Sequence, residues 1–134
     1  MPATINRVNI PDGSPWEGVV GYSRAVRVGN IIEVAGTTAM NGSELVGEND
    51  IFAQASFIFT KIEKALNNAG ASMTDVVRTR MFVTDITQWE EVGKAHAAVF
   101  ATIKPAATMV EVSRLIETGL LIEIEVTAIL NHII

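Results

Sequence analysis

Two pairs of charged residues stand at the two-residue spacing that puts side chains on one face of a β-strand. Glu123 and Glu125 lie in Leu121-Ile122-Glu123-Ile124-Glu125-Val126, and Arg78 and Arg80 lie in Val77-Arg78-Thr79-Arg80-Met81. The positions between the acids continue as Ile122, Ile124, Val126 and Ala128, so one face of this segment suits a core and the other carries both carboxylates. A pair of acids on such a face costs too much to leave unpaired, so a ligand or an ion pair is expected there, and a cross-strand ladder with Arg78 and Arg80 accounts for all four residues without a ligand. Tyr22, the only tyrosine, stands between Gly21 and Ser23 and offers one phenol at the mouth of a strand. His96 and His132 are far apart in the chain, with no carboxylate at ligand spacing, so no metal and no cofactor are expected. His96 shares a helical stripe with Trp89 and Val92, where a half-buried, hydrogen-bonded imidazole is the ordinary outcome. The absence of cysteine removes thiolate nucleophiles, disulfides and cysteine metal sites. Neither the Gly-Lys-Ser/Thr phosphate loop, the dinucleotide glycine fingerprint nor a Gly-x-Ser-x-Gly elbow occurs.

The elements that must hold these residues are read from hydrophobic period and turn signals. Residues 22–28 and 31–35 are rich in β-branched side chains and flank Gly29-Asn30, which fits a tight hairpin turn. Asn41-Gly42 marks a second turn between residues 37–40 and 44–46. Beyond Asn49 the period changes, with Phe52, Ala55, Phe59, Ile62, Leu66 and Ala69 recurring every three or four residues. A helix capped by Asn49 or Asp50 and stopped at Gly70 follows. Residues 77–83 have strand composition, Asp85-Ile86-Thr87-Gln88 opens a second helix with the stripe Trp89, Val92, His96, Val99 and Phe100, and Lys104-Pro105 ends it. Strands at 108–112 and 120–129 complete the order β-β-β-α-β-α-β-β. The mixture without strict alternation predicts one α+β domain over 1–134, with two helices on one face of a mixed sheet.

Composition bounds what covers the other face. The chain has 134 residues, 49% hydrophobic and 19% charged, against roughly 25% charged in an average soluble domain. A small domain with too few charges to coat itself is expected to bury a face against a copy of itself, so a homo-oligomer is predicted. The net charge of −5 and a pI near 4.9 disfavour a nucleic-acid partner held through phosphates. No stretch approaches the ~18 unbroken apolar residues of a membrane span, and Met1-Pro2-Ala3-Thr4-Ile5-Asn6-Arg7 has no apolar leader, so no membrane association and a cytoplasmic location are expected.

Four ordered blocks then carry a resemblance. Gly21-Tyr22-Ser23-Arg24-Ala25-Val26-Arg27-Val28-Gly29-Asn30 with Val34-Ala35-Gly36, Ala69-Gly70-Ala71-Ser72-Met73-Thr74-Asp75-Val76-Val77, Pro105-Ala106-Ala107-Thr108-Met109-Val110-Glu111-Val112, and Ile122-Glu123-Ile124-Glu125 resemble the Rid/YjgF family of reactive intermediate deaminases, also known as endoribonuclease L-PSP-like proteins. The resemblance implies a chorismate-mutase-like fold and a homotrimer with a small-molecule cleft at each subunit interface. It implies hydrolysis of enamines or imines, with Glu123 handling water, Tyr22 lining the cleft, and Gly36 and Met109 contributing backbone contacts. In the family an arginine grips the substrate carboxylate where this chain has Ala107, and a methyl group cannot supply that bidentate contact. The expectation is therefore a substrate without an α-carboxylate, or a substitute cation, for which Arg24 and Arg80 are the candidates. Glu123 is expected to face the cleft, and Glu125 to be ion-paired or more exposed. A trimer that binds a metabolite without turning it over, and an endoribonuclease or translation inhibitor, are the other functions the resemblance brings.

Overall fold

The computed structural model describes residues 6–131. In chain order the strands are β1 (Arg7–Ile10), β2 (Ala25–Val28), β3 (Ile31–Thr37), β4 (Met40–Asn41), β5 (Glu44–Leu45), β6 (Val76–Val83), β7 (Ala106–Glu111) and β8 (Ile122–Ile129). Two α-helices, α1 (Ile51–Asn68) and α2 (Trp89–Phe100), stand among them. Six strands form one sheet in the order β1-β2-β3-β8-β6-β7, antiparallel except for the β6–β7 pair, and β4 and β5 make a separate small hairpin. The parallel pair is joined through α2, as parallel neighbours require a crossover.

The main sheet has the β-β-β-α-β-α-β-β order, but its first member is β1, a segment not expected as a strand, in place of the residues around Asn41-Gly42. Three of the four residues of β1 are exposed and Pro11 follows at once, so no alternation announces it. The hairpin expected at Asn41-Gly42 forms outside the main sheet, with Gly42 at φ +64°.

The core lies on one face. Ile32, Val34, Met81, Val83, Ile122, Ile124 and Val126 point towards Ile51, Ala55, Ile58, Phe59, Ile62 and Leu66 of α1, with Val92, Ala95 and Phe100 of α2 beside them. Phe52, placed on the buried stripe by the sequence, is 39% exposed because the three-and-four series starts one residue earlier, at Ile51. Trp89, 56% exposed, likewise lies off the stripe that Val92, Ala95 and Phe100 form. Asp50 caps α1 through its side chain, which accepts from the Ala53 N–H at 3.0 Å.

His96 lies between α2 and the sheet. Its Nε2 is 2.9 Å from Thr79 Oγ1, and its ring meets Phe100 at 4.7 Å and Phe59 edge-on at 6.0 Å between centroids. Burial pushes its pKa below the usual 6.5. The folded state thus resists protonation that the unfolded chain accepts, so the His96 contribution to stability is full above pH 6.5 and falls as the pH drops below it. Urea unfolding between pH 8 and pH 5 is expected to show wild type losing more stability over this interval than His96→Gln. Equal losses would remove this account. His132 lies outside the described residues.

Candidate functional site

The face of the sheet away from the helices carries the charged residues, and a bulge in β3 shapes one corner of it. Val34 pairs with Val126, but the next partners are Thr37 and Ile124, so three steps on β3 oppose two on β8. The additional length lies at Ala35-Gly36. Gly36 sits against the Glu123 side chain, where an added Cβ would lie 3.0 Å from the carboxyl carbon and closer still to one oxygen. Only a residue without a side chain leaves the carboxyl this seat. Glu123 is half-buried, and among the described residues no hydrogen bond or ion pair engages its carboxylate. Burial pushes its pKa above the ordinary 4.5; the Arg24 charge works against that rise and Glu125 adds to it.

Arg24, just before β2, holds the bulge from the other side. Its Nη1 donates to Gly36 O at 2.9 Å, to Thr37 Oγ1 at 2.8 Å and, at a longer 3.4 Å, to Ala35 O. Its Nε lies 3.3 Å from Asp12 Oδ2. The guanidinium is 5.7 Å from the Tyr22 ring centroid. Tyr22, Arg24, Gly36 and Glu123 thus form one connected corner.

The ladder expected between the two strand pairs forms only in part. Antiparallel register sets Arg80 opposite Glu125, Phe82 opposite Glu123 and Arg78 opposite Thr127. Arg80 and Glu125 pair at 3.7 Å, whereas Arg78 donates from Nη2 to Thr108 Oγ1 at 2.5 Å. The offset leaves Glu123 against an aromatic ring instead of a guanidinium. Tyr22, Ser23, Arg7, Glu33, Arg80 and Glu125 line an adjoining hollow of about 370 Å³ on the same face.

Ala107 and Met109 lie elsewhere. Both are on the edge strand β7, in register with Thr79 and Met81 of β6, so they share the side of the sheet opposite to Glu123 and are separated from β8 by β6. Within a single chain they do not reach the corner. Two residues that the sequence did not single out do. Asp12 pairs with Arg24, and Lys61 on α1 donates from Nζ to Thr38 O at 2.9 Å and Met40 O at 2.8 Å, fixing the segment after the bulge. Burial, and then the Arg24 charge, push the Lys61 pKa down. A lysine on a helix flank and an aspartate in a loop carry no signal of such proximity.

Among the described residues no group of three or more His, Cys, Asp and Glu is placed to hold a metal ion, and no helix is long and apolar enough to cross a membrane.

Residues 15–130 match the profile of the family described as Endoribonuclease L-PSP. A solved structure from Mycobacterium tuberculosis, described as a member of the YjgF/YER057c/UK114 family, superposes with a TM-score of 0.86 at 49% identity, covering 93% of this chain and 100% of that one. The chain belongs to the Rid/YjgF family. An uncharacterised protein of Streptomyces coelicolor is another relative of this family member, 35% identical over 119 residues that make up 89% of each chain. The 3-aminoacrylate deaminase RutC of Acinetobacter baylyi is 29% identical over 116 residues, covering 86% of this chain and 90% of its own. As a Rid/YjgF protein this chain presents its acidic corner with Glu123 seated on Gly36 and an alanine, Ala107, on its edge strand.

Proposed function

We propose that the protein is a cytoplasmic imine or enamine deaminase, working as a homotrimer whose subunit-interface clefts hydrolyse a reactive imine that lacks an α-carboxylate. The observation that carries this reading is Glu123: half-buried, unpaired among the described residues, seated on a glycine, with its pKa raised by burial. A carboxylate so placed is a stronger base than one in water. In the proposed reaction Glu123 takes a proton from water as the water oxygen bonds to the imine carbon and the C=N π electrons move to nitrogen. The proton passes to nitrogen to give a carbinolamine; its hydroxyl proton is then handed to the amine nitrogen as the O–H electrons form the C=O bond and the C–N bond breaks, and a carbonyl compound and ammonia leave. Tyr22 lines the cleft and Arg24 holds Gly36 in place. RutC, whose name gives an aminoacrylate as substrate, supports the reaction class.

The trimer reading rests on the resemblance and on the charge deficit. It also gives β7 an occupant for its free edge: a strand of little charge, Ala106-Ala107-Thr108-Met109-Val110, is an exposed template for pairing. Docking of this edge on the corner of a neighbouring copy would bring Ala107 and Met109 to Tyr22, Gly36 and Glu123. RNA cleavage has less support, because the net charge is −5 and His96 is held by Thr79 and two aromatic rings.

Two measurements test the proposal. Light scattering is expected to give three times the 14.4 kDa chain mass at micromolar concentration, and a stable monomer would remove the interface cleft. Purified protein mixed with freshly generated imines, with and without a carboxylate, is expected to speed release of the carbonyl product from the uncharged imine. Saturable binding of the imine without release would mark a metabolite-binding trimer instead.

A further inference from the structure

The loop 11–21 between β1 and β2 folds around Asp12. Ser14 N–H donates to Asp12 Oδ1 at 2.9 Å, and the Asp12 N–H donates to Glu17 Oε2 at 3.0 Å. The same carboxylate faces the Arg24 guanidinium with Oδ2 3.3 Å from Nε. The Arg24 side chain is 11% exposed, and its Nε is cut off from water without an aligned hydrogen bond, so Asp12 is the group that answers its charge on this side. On its other side Nη1 grips Gly36 O and Thr37 Oγ1, the backbone and side chain of the bulge on which Glu123 is seated. One side chain therefore touches both the loop and the seat.

We propose that Arg24 is a positioning residue that couples the loop 11–21 to the Glu123 carboxyl, with Asp12 setting how much of its charge reaches that carboxyl. Arg24 does not grip substrate in this account. Three of its hydrogen bonds already run to β3 from Nη1, and its Nε faces Asp12. What it does for the chemistry is twofold: it holds Gly36 where the carboxyl fits, and it places a cation beside a half-buried acid. The charged groups acting on Glu123 are Arg24 from the start of β2 and Glu125 from β8, while β6 offers the uncharged Phe82. Loosening of the Asp12 contact when a ligand touches the loop would shift the basicity of Glu123 without any movement of β8.

The coupling deepens the deaminase reading and depends on it for its meaning, yet it is testable without substrate. The 13C-carboxyl titration of Glu123, in protein labelled at glutamate and with the signal assigned by Glu123→Gln, reads the effect directly. Arg24→Met, which removes the cation, is expected to move the Glu123 midpoint to higher pH. Asp12→Asn, which leaves Arg24 in place but unanswered, is expected to move it to lower pH, and Arg24→Lys to fall between wild type and Arg24→Met. Opposite shifts in these variants are the signature of an electrostatic coupling; a purely structural arginine would lower stability in both and leave the midpoint where it was. If Arg24→Met does not fold, an unshifted midpoint in folded Asp12→Asn overturns the proposal by itself. Failure of wild type to hydrolyse any imine would remove the deaminase reading and leave the titration result standing.

Discussion

Glu123→Gln is expected to slow imine hydrolysis by about a hundredfold to ten-thousandfold, the range a positioned general base contributes. The amide keeps the size of the side chain and its seat on Gly36 but accepts no proton from water. Loss of activity is not expected to come with loss of fold. The pKa of Glu123 is raised in the folded state above 4.5, so as the pH rises through and beyond that value the folded protein carries a charge the unfolded chain holds more easily, and stability is lost. A neutral glutamine avoids this penalty, so the variant should be as stable as wild type, or more so, at pH 7. Thermal unfolding and product-release kinetics on the same preparation check both halves. A stable variant with wild-type turnover would take Glu123 out of the chemistry.

Ala107→Arg is the change with the second largest expected effect. A bidentate guanidinium to carboxylate contact in a partly desolvated cleft contributes on the order of 2–4 kcal/mol, so the variant is expected to turn over α-imino acids roughly thirty-fold to a thousand-fold faster than wild type. Position 107 is exposed on the free edge of β7, so the longer side chain meets no core. Assay of a carboxylate-bearing imine with the folded variant reads the outcome. No gain would mean that Tyr22, Gly36, Met109 and Glu123 are arranged for another ligand. Robust wild-type activity on the same imine would mean that another cation already grips the carboxylate. Arg24 is held by β3 and Asp12, which leaves Arg80, paired only loosely with Glu125 at 3.7 Å, as the side chain to test.

Much of this site was written in local pattern. The alternation around Ile122-Glu123-Ile124-Glu125 put both acids on one face, the three-and-four spacing after Asp50 made α1, and Asp85 opened the turn into α2. What pattern alone did not carry was register. Whether Arg78 or Arg80 meets Glu123 or Glu125 depends on which residue of β6 lies opposite which residue of β8, and the observed pairing passes Glu123 to Phe82. The bulge at Ala35-Gly36 is invisible for the same reason: it exists only as a mismatch in count between β3 and β8, strands some ninety residues apart in the chain. Asp12 and Lys61 reach the corner from a loop and a helix flank, where neither period nor spacing marks a residue as close to anything. The edge strand β7 shows the opposite case, in which the residues were singled out through the family and the single chain keeps them apart from the others.

The proposed chemistry is tested most directly by the preference between two substrates that differ in one group. With an imine and its α-carboxylate counterpart generated fresh and assayed side by side, wild-type protein is expected to show the higher kcat/KM on the uncharged imine, with ammonia and carbonyl product appearing in equal amounts. A higher kcat/KM on the carboxylate-bearing imine, or no release of ammonia from either above the rate in buffer, would contradict it.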